Sequence, residues 1–462
     1  MVWIQLLIVL ACLIAGTKFG GLGLGLISGF GLMVLVFGFG LRPGSPPVDV
    51  MLTILAVIGC AAVLQAAGGL DVMMRYAEKL LRRYPSMITI LAPLTTWFLT
   101  LLCGTGHVVY TMFPIIEDIA LSKGIRPERP MAVSSVAAQV GITASPVSVA
   151  TVTLATLFAA NAAAHPGAAT FTVPQILTVS IPATFAGVLL AALWSMRRGK
   201  DLDKDPEFQA KLADPEERAY IYAGGSTLLD RVFPRSSYVS VGIFLSTIVA
   251  IVIFGAFSQL LPTFTDAAGK TARLSMTPVI QMIMLVGGAL ILILAKVKPD
   301  HVPTTNVFKA GMVAIFSVFG VAWMAETFFS AHLPEFQAFL SDMVQNYTWT
   351  YAIALFLVSK LVNSQAAAVT AMAPVGLKIG VDPVVMLGFV SAAYGYFVLP
   401  TYPSDLACIG FDRTGTTRIG RFILNHSFIV PGFIAVITGC LVGTGVAQLL
   451  YGGMAGGVPV GQ

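Results

Sequence analysis

Four short polar motifs interrupt otherwise apolar runs: Gly104-Thr105-Gly106-His107, Thr143-Ala144-Ser145-Pro146-Val147-Ser148, Asn363-Ser364-Gln365 and Pro400-Thr401-Tyr402-Pro403-Ser404-Asp405. Each joins a helix breaker or small residue to hydroxyl or amide side chains. Where a helix is broken, the backbone N–H groups at the new start lack intrahelical partners and carry partial positive charge, so they can hold a carboxylate. The set suits a small, polar anion and contains no nucleophile paired with a base for catalysis. One motif alone is better read as a kinked helix with Ser/Thr hydroxyls bonding back to the backbone. Four in matching places favour a transport site, with Thr105, Gly106, His107, Ser145, Pro146, Ser148, Asn363, Ser364, Gln365, Thr401, Ser404 and Asp405 as its candidate residues.

Ionisable residues near these motifs need a reason, because each costs about 2.5–3.5 kcal/mol at membrane depth. Lys360 lies three residues before Asn363 in an apolar span, and Asp405 follows two prolines. A Lys360–Asp405 pair, Lys360 meeting a substrate carboxylate, and Lys360 snorkelling to an interface all remain open. His107 is equally open between binding substrate, carrying a proton and hydrogen-bonding a carbonyl. Glu78 and Arg82 have the i,i+4 spacing of a helical ion pair, which on a surface does little. Arg126, in the loop 125–130, reads most simply as a topology signal.

The elements around these motifs must be membrane helices. The chain of 462 residues is 56% hydrophobic and 11% charged, with a mean hydropathy of +0.86. An ordinary soluble domain carries about 25% charged residues. Apolar windows of the roughly 20 residues that cross a bilayer recur along the chain, without the period-two alternation of a β-barrel. Candidate spans are 2–16, 22–41, 48–68, 86–103, 104–122, 131–160 and 173–196, then 238–261, 276–295, 308–329, 349–362, 363–378, 384–400 and 423–450. The first begins apolar without a basic leader, which argues for a membrane segment rather than a cleaved signal. Five cysteines (Cys12, Cys60, Cys103, Cys408, Cys440) lie in or beside apolar segments without metal-ligand spacing, and read as small packing residues. The net charge of +5 is scattered through loops and signals no nucleic acid. Gly21, Gly25 and Gly29 have a helix-packing spacing. No cofactor is expected.

A hydrophilic stretch from Arg197 to Ser236, with eight basic and eight acidic residues, divides the chain. Seven segments on each side make the second half start opposite the first, the arithmetic of an inverted repeat. The expected units are 1–196, a charged loop 197–237 on the cytoplasmic side, and 238–462. Weak internal similarity agrees: polar triplet, Met-x-Pro, Val-Ser and x-Pro-x-x-x-Ala recur at offsets of 257 to 260. Each half also has an amphipathic stretch before its polar triplet, 72–83 and 331–347. Basic loops orient one alternating path with both termini outside.

Longer strings carry a resemblance. Pro-Pro-Val-Asp-Val-Met (46–51), Gly-Gly-Leu-Asp-Val-Met (68–73), Ala-Glu-Lys-Leu-Leu-Arg-Arg (77–83), Cys-Gly-Thr-Gly-His-Val-Val-Tyr-Thr (103–111), Arg-Pro-Glu-Arg-Pro-Met-Ala (126–132) and Ser-Pro-Val-Ser-Val-Ala (145–150) are six of them. Gly-Lys-Asp-Leu-Asp-Lys-Asp (199–205), Trp-Met-Ala-Glu-Thr (323–327), Val-Asn-Ser-Gln-Ala-Ala-Ala (362–368) and Leu-Pro-Thr-Tyr-Pro-Ser-Asp-Leu-Ala (399–407) complete the set. Over nearly the whole chain the sequence resembles the anaerobic C4-dicarboxylate transporter family.

The resemblance implies electroneutral exchange of fumarate, malate or aspartate for succinate across a bacterial inner membrane, on an all-α fold of two inverted repeats with hairpins, broken helices and elevator-type domains. It raises Glu78, Arg82 and Arg126 to transport-relevant charges, beside Lys360, which its place in an apolar span already marks. It also implies a homo-oligomer, and for some members a membrane sensor kinase as partner, with Lys360, Thr401 and Asp405 at positions tied to that role. A cation-coupled symporter and a regulatory subunit with vestigial transport are the competing readings.

Overall fold

The computed structural model describes residues 1–19, 22–46, 48–165, 167–222, 227–265, 271–332, 347–399, 402–420 and 424–454. Before the hydrophilic stretch come α1 (Val2–Phe19), α2 (Gly23–Met33), α3 (Val48–Ala66), α4 (Gly69–Arg83), α5 (Ile88–Cys103), α6 (Val109–Ser122), α7 (Glu128–Val140), α8 (Val149–Ala164) and α9 (Val173–Ser195). The stretch itself holds α10 (Pro206–Leu212) and α11 (Pro215–Ile221). After it come α12 (Arg235–Ala256), α13 (Met276–Leu294), α14 (Asn306–Ala331), α15 (Thr350–Val362), α16 (Gln365–Lys378), α17 (Pro383–Gly388), α18 (Pro403–Phe411) and α19 (Ile429–Tyr451). A three-residue antiparallel ribbon, Thr263–Thr265 on Thr271–Arg273, joins α12 to α13.

Among the described residues, six stretches are long and apolar enough to cross a bilayer: Pro85–Cys103, Glu128–Ala164, Val173–Ser195, Arg235–Gly255, Met276–Leu294 and Ile429–Tyr451. Their outward flanks are bare hydrocarbon, with Leu285, Ile293, Leu441 and Leu449 all exposed. Water would penalise such surfaces and lipid tails would not. This is a multi-pass helical membrane protein. All five cysteines are free, and four are buried as apolar packing.

Several expected spans are shorter than the hydropathy suggests. The 131–160 run is two helices parted at Gly141–Ser148, and α6 and α15 have only 14 and 13 residues. At 1.5 Å per residue neither crosses a 30 Å core alone. The 384–400 run is mostly not α-helix: after Gly388 it tightens into 3-10 turns at Val390–Ala393 and Tyr396–Val398. The cause is close packing. A Cβ on Gly395 would sit 2.2 Å from Phe356 O, and its N–H is taken by Ser359 Oγ at 2.6 Å. The last span starts at Ile429 rather than 423.

α4 is amphipathic, as expected from 72–83. Val72, Met73, Met74, Ala77, Glu78 and Leu81 face inward, while Tyr76, Lys79 and Leu80 face out. Gly68, at φ +74, turns the chain so that α4 leaves α3 at 70°. Asp71 in its first turn and Arg82 and Arg83 in its last oppose the helix dipole. The second amphipathic stretch, 331–347, lies almost wholly outside the described residues. The hydrophilic stretch is more ordered than a loop. Asp205 and Asp214 cap α10 and α11, each followed by proline at the first helical position, and Leu202, Phe208 and Ile221 bury against Leu121.

Candidate functional site

The first break is made by Gly104. It ends α5 at φ +72, and a Cβ there would stand 2.8 Å from Val147 O, so both the turn and the contact require glycine. Thr105 is extended, and its hydroxyl lies 2.6 Å from His107 Nδ1 and accepts from His107 N at 3.4 Å. A short 3-10 turn, Gly106–Val108, then starts α6. The second break repeats the plan with other residues. Asn363 takes the left-handed conformation at φ +48, which its short amide tolerates better than most side chains. Ser364 caps α16 by accepting from Ala367 N at 3.2 Å. Lys360 Nζ steadies the turn, donating to Asn363 Oδ1 at 3.1 Å and to the Leu399 and Tyr396 carbonyls at 3.2 and 3.4 Å.

Both turns open into one cavity of about 460 Å³. Gly104, Thr105, Gly106 and His107 line it from the first half, and Asn363, Ser364 and Gln365 from the second. Val147 and Val149 flank Ser148, which caps α8 by accepting from Thr151 N at 3.1 Å. Tyr396, Tyr402 and Pro403 close another side. Amide-bearing starts of α8, α16 and α18 thus meet carbonyl-bearing ends of α5 and α15 around a space suited to one small ligand with water. Ser145, Pro146, Ser148, Ser404 and Asp405 are buried just behind the lining. Thr401 lies outside the described residues.

Behind the cavity runs a buried polar chain. Gln365 Nε2 donates to Gln139 O at 2.7 Å, Tyr396 OH donates to Gln139 Oε1 at 2.8 Å, and Gln139 Nε2 donates to Ser404 Oγ at 3.3 Å. Ser135 Oγ donates to Asp405 Oδ1 at 2.7 Å. Asp405 Oδ2 and Gln365 Oε1 have no hydrogen-bond partner among the described residues. Sequence reasoning missed Ser135, Gln139 and Tyr396. The one mark the sequence carries is a lone glutamine in the small-residue run of α7.

The family model of the anaerobic C4-dicarboxylate membrane transporters, DcuA_DcuB, matches residues 1–451. The chain belongs to this family. It is a family of membrane transporters, not of enzymes. The chain is 54% identical to the anaerobic C4-dicarboxylate transporter DcuB of Escherichia coli O6:H1 (strain CFT073), over 97% of this chain and 99% of that one. It is 39% identical to the C4-dicarboxylate transporter DcuA of Wolinella succinogenes over 96% and 99%, and 35% identical to DcuA of E. coli K12 over 94% and 96%. Among solved structures, the Alcanivorax borkumensis YdaH transporter superposes with a TM-score of 0.59 at 14% identity, covering 94% of this chain and 98% of that one. Neisseria gonorrhoeae MtrF gives 0.50 at 12%, over 90% and 84%. At these identities the likeness is one of fold.

In this C4-dicarboxylate transporter family member, Glu78, Arg82 and Arg126 do not line the cavity. Glu78 is fully buried and accepts from Arg82 Nε at 2.8 Å, Thr227 Oγ1 at 2.7 Å and Leu228 N at 2.7 Å, so it does more than a surface ion pair. It fastens α4 to the far end of the hydrophilic stretch. Arg126 is not a free loop charge either. Its guanidinium bonds Glu128 at 2.7 Å and also Asp205, while Arg198 reaches Glu128 at 2.9 Å. Burial draws the Arg126 pKa down, and its two carboxylates more than reverse that, leaving it raised. Burial lowers that of Arg198; Glu128 opposes this and Arg126 adds to it. The contacts of Arg126 with Asp205, of Arg198 with Glu128 and of Glu78 with Thr227 and Leu228 join residues distant in sequence, which is why spacing did not reveal them.

Proposed function

We propose that the transporter exchanges C4-dicarboxylates across the bacterial inner membrane, bringing in fumarate, malate or aspartate and releasing succinate. The observation that carries this reading is the single cavity into which both broken-helix turns open, in a chain whose relatives are named C4-dicarboxylate transporters. Helix starts and hydroxyls from two sides give a dianion two places to put its carboxylates. The amide of Asn363, held by Lys360, is well placed to fix one end.

Inverted repeats spanning 1–196 and 238–462, with 197–237 between them in the cytoplasm, support an elevator movement. Corresponding elements pack in corresponding ways: α2 lies on α14 as α13 lies on α3, and α1 on α2 as α12 on α13. We assign these six helices to the scaffold and α5–α9 with α15–α19 to the moving unit. In this arrangement both termini are periplasmic and the protein is a homo-oligomer. A sensor kinase, where one is present, depends on Lys360, Thr401 and Asp405, with Asp405 acting from inside the protein because it is fully buried.

Counterflow of labelled succinate against a panel of dicarboxylates, in proteoliposomes without any ion gradient, tests the reading. Exchange with fumarate, malate and aspartate is expected. Uptake that needs a cation gradient, with no counterflow, would replace it by the symport reading.

A further inference from the structure

We propose that Gln139 is a positioning residue whose hydrogen bond with Tyr396 clasps the two polar turns together and so sets the affinity for the dianion. The inference rests on the proposed exchange site and adds to it a residue that does not itself line the cavity.

Gln139 sits in the last turn of α7 and is 2% exposed. Its backbone carbonyl accepts from Gln365 Nε2, its Oε1 from Tyr396 OH, and its Nε2 donates to Ser404 Oγ. On the remaining side it is wedged by Gly106, where a Cβ would stand 2.5 Å from Gln139 Nε2. Gln139 therefore meets the first turn and Ser404 through its side chain, and the second turn through its backbone carbonyl and through Tyr396, whose OH also accepts from Gln365 Nε2 at 3.4 Å. The chain leaving α7 runs directly into the break at Gly141–Ser148. Gly106, Gln365 and Tyr396 all line the cavity, whereas Gln139 reaches it only through them.

The pairing has a second meaning. Gln139 and Tyr396 are 257 residues apart, the same separation as Pro146 and Pro403. A contact between equivalent positions of two repeats falls where their relating axis passes. The clasp therefore stands at the meeting line of the two halves, where a small displacement separates both turns at once. Loss of the clasp leaves each turn formed and unaligned, so part of the binding energy must be spent on aligning them. Affinity suffers, while the loaded carrier, its turns bridged by substrate, still crosses.

The test uses the full chain in proteoliposomes, with Tyr396→Phe, Gln139→Leu and the double variant. Tyr396→Phe is expected to raise the KM for succinate counterflow about tenfold, the scale of one buried hydrogen bond, with little change in maximal rate. The succinate-induced rise in Tm should shrink while the ligand-free Tm is nearly kept. The double variant should bind no worse than Gln139→Leu, because one interaction is lost only once. If Tyr396→Phe keeps the wild-type KM, or lowers only the ligand-free Tm, the clasp is overturned and the exchange site stands. If the wild-type protein shows neither succinate exchange nor a succinate-induced Tm rise, the exchange site falls and the clasp with it. Tyr396→Phe keeps the question answerable even where Gln139→Leu fails to fold.

Discussion

Ser427 donates its hydroxyl to Glu128 Oε1 over 2.6 Å, although 299 residues separate them. Glu128 N in turn donates to Thr416 Oγ1 at 3.1 Å, and Arg129 bonds Asp201 at 2.7 Å. Arg418 reaches Glu207 at 2.9 Å, and Arg198 Nη1 donates to Ser427 O. The loop before α7, the hydrophilic stretch and the loop before α19 are thus one knot, with Arg126 at its buried centre.

Arg126→Ala leaves the carboxylates of Glu128 and Asp205 short of their shared partner, a loss of about 3–5 kcal/mol for a buried pair, partly offset by Arg198. Counterflow normalised to membrane-inserted protein should fall at least about tenfold. Arg126→Lys should recover only part, since an ammonium cannot fork to two carboxylates as a guanidinium does. Exchange unchanged in Arg126→Ala would return the residue to a topology signal.

Glu78 and Arg82 should separate in strength. Arg82 is about one-third exposed, so its share of the pair is worth under about 1 kcal/mol. Glu78→Ala also removes the acceptor of Thr227 Oγ1 and Leu228 N, hydrogen bonds to a buried charge worth about 1.5–3 kcal/mol each. Thermal unfolding in detergent should show Glu78→Ala clearly less stable than Arg82→Ala. Equal losses would mean the tether to 227–228 contributes nothing.

The two turns should respond differently to the smallest substitutions. Gly104→Ala meets both a left-handed φ and the Val147 carbonyl, at a cost of about 1–3 kcal/mol from the backbone alone. It should abolish exchange. Asn363→Gly relieves the backbone and deletes the whole amide, both the oxygen held by Lys360 and the nitrogen offered to the substrate. It should leave Tm near wild type while raising KM. Wild-type KM in Asn363→Gly would remove the amide from the site.

His426, in the loop before α19, carries a pH dependence. Its Nδ1 accepts from Phe428 N at 3.1 Å and its Nε2 faces Val398 O at 3.1 Å, which is the pattern of a neutral ring. Burial lowers its pKa; the bond to Val398 opposes this, and the charges of Arg198 and Lys360 add to it. A histidine lowered on folding contributes stability that is complete above its unfolded value of about 6.5 and is lost as pH falls below it. Tm should therefore drop between about pH 7.5 and 5.5, and His426→Gln should flatten that drop. An identical slope in the variant would assign the drop to other groups.

The broken helices were legible because glycine, proline and clustered hydroxyls stand out against apolar runs, as at Gly104 and Ser364. Gln139 and Tyr396 were not, since a lone polar residue in a helix or tight turn has no periodic neighbour to mark it. Gly395 explains why the 384–400 run is not one span: hydropathy registers the burial of that segment, while only the neighbouring Phe356 carbonyl dictates that it cannot coil. The ion network around Arg126 was invisible because its partners come from three loops, and charge in a loop looks the same whether it faces water or a carboxylate.

The knot around Glu128 and Arg126 constrains any motion the protein makes. Three segments of chain, at 126–129, 198–207 and 416–427, are stitched there, so they travel as a single block or come apart together. A carrier built this way gets a stiff keel on its charged side. Displacement must then be taken up outside that block, for instance at the bend at Gly68 where α3 gives way to α4 at 70°.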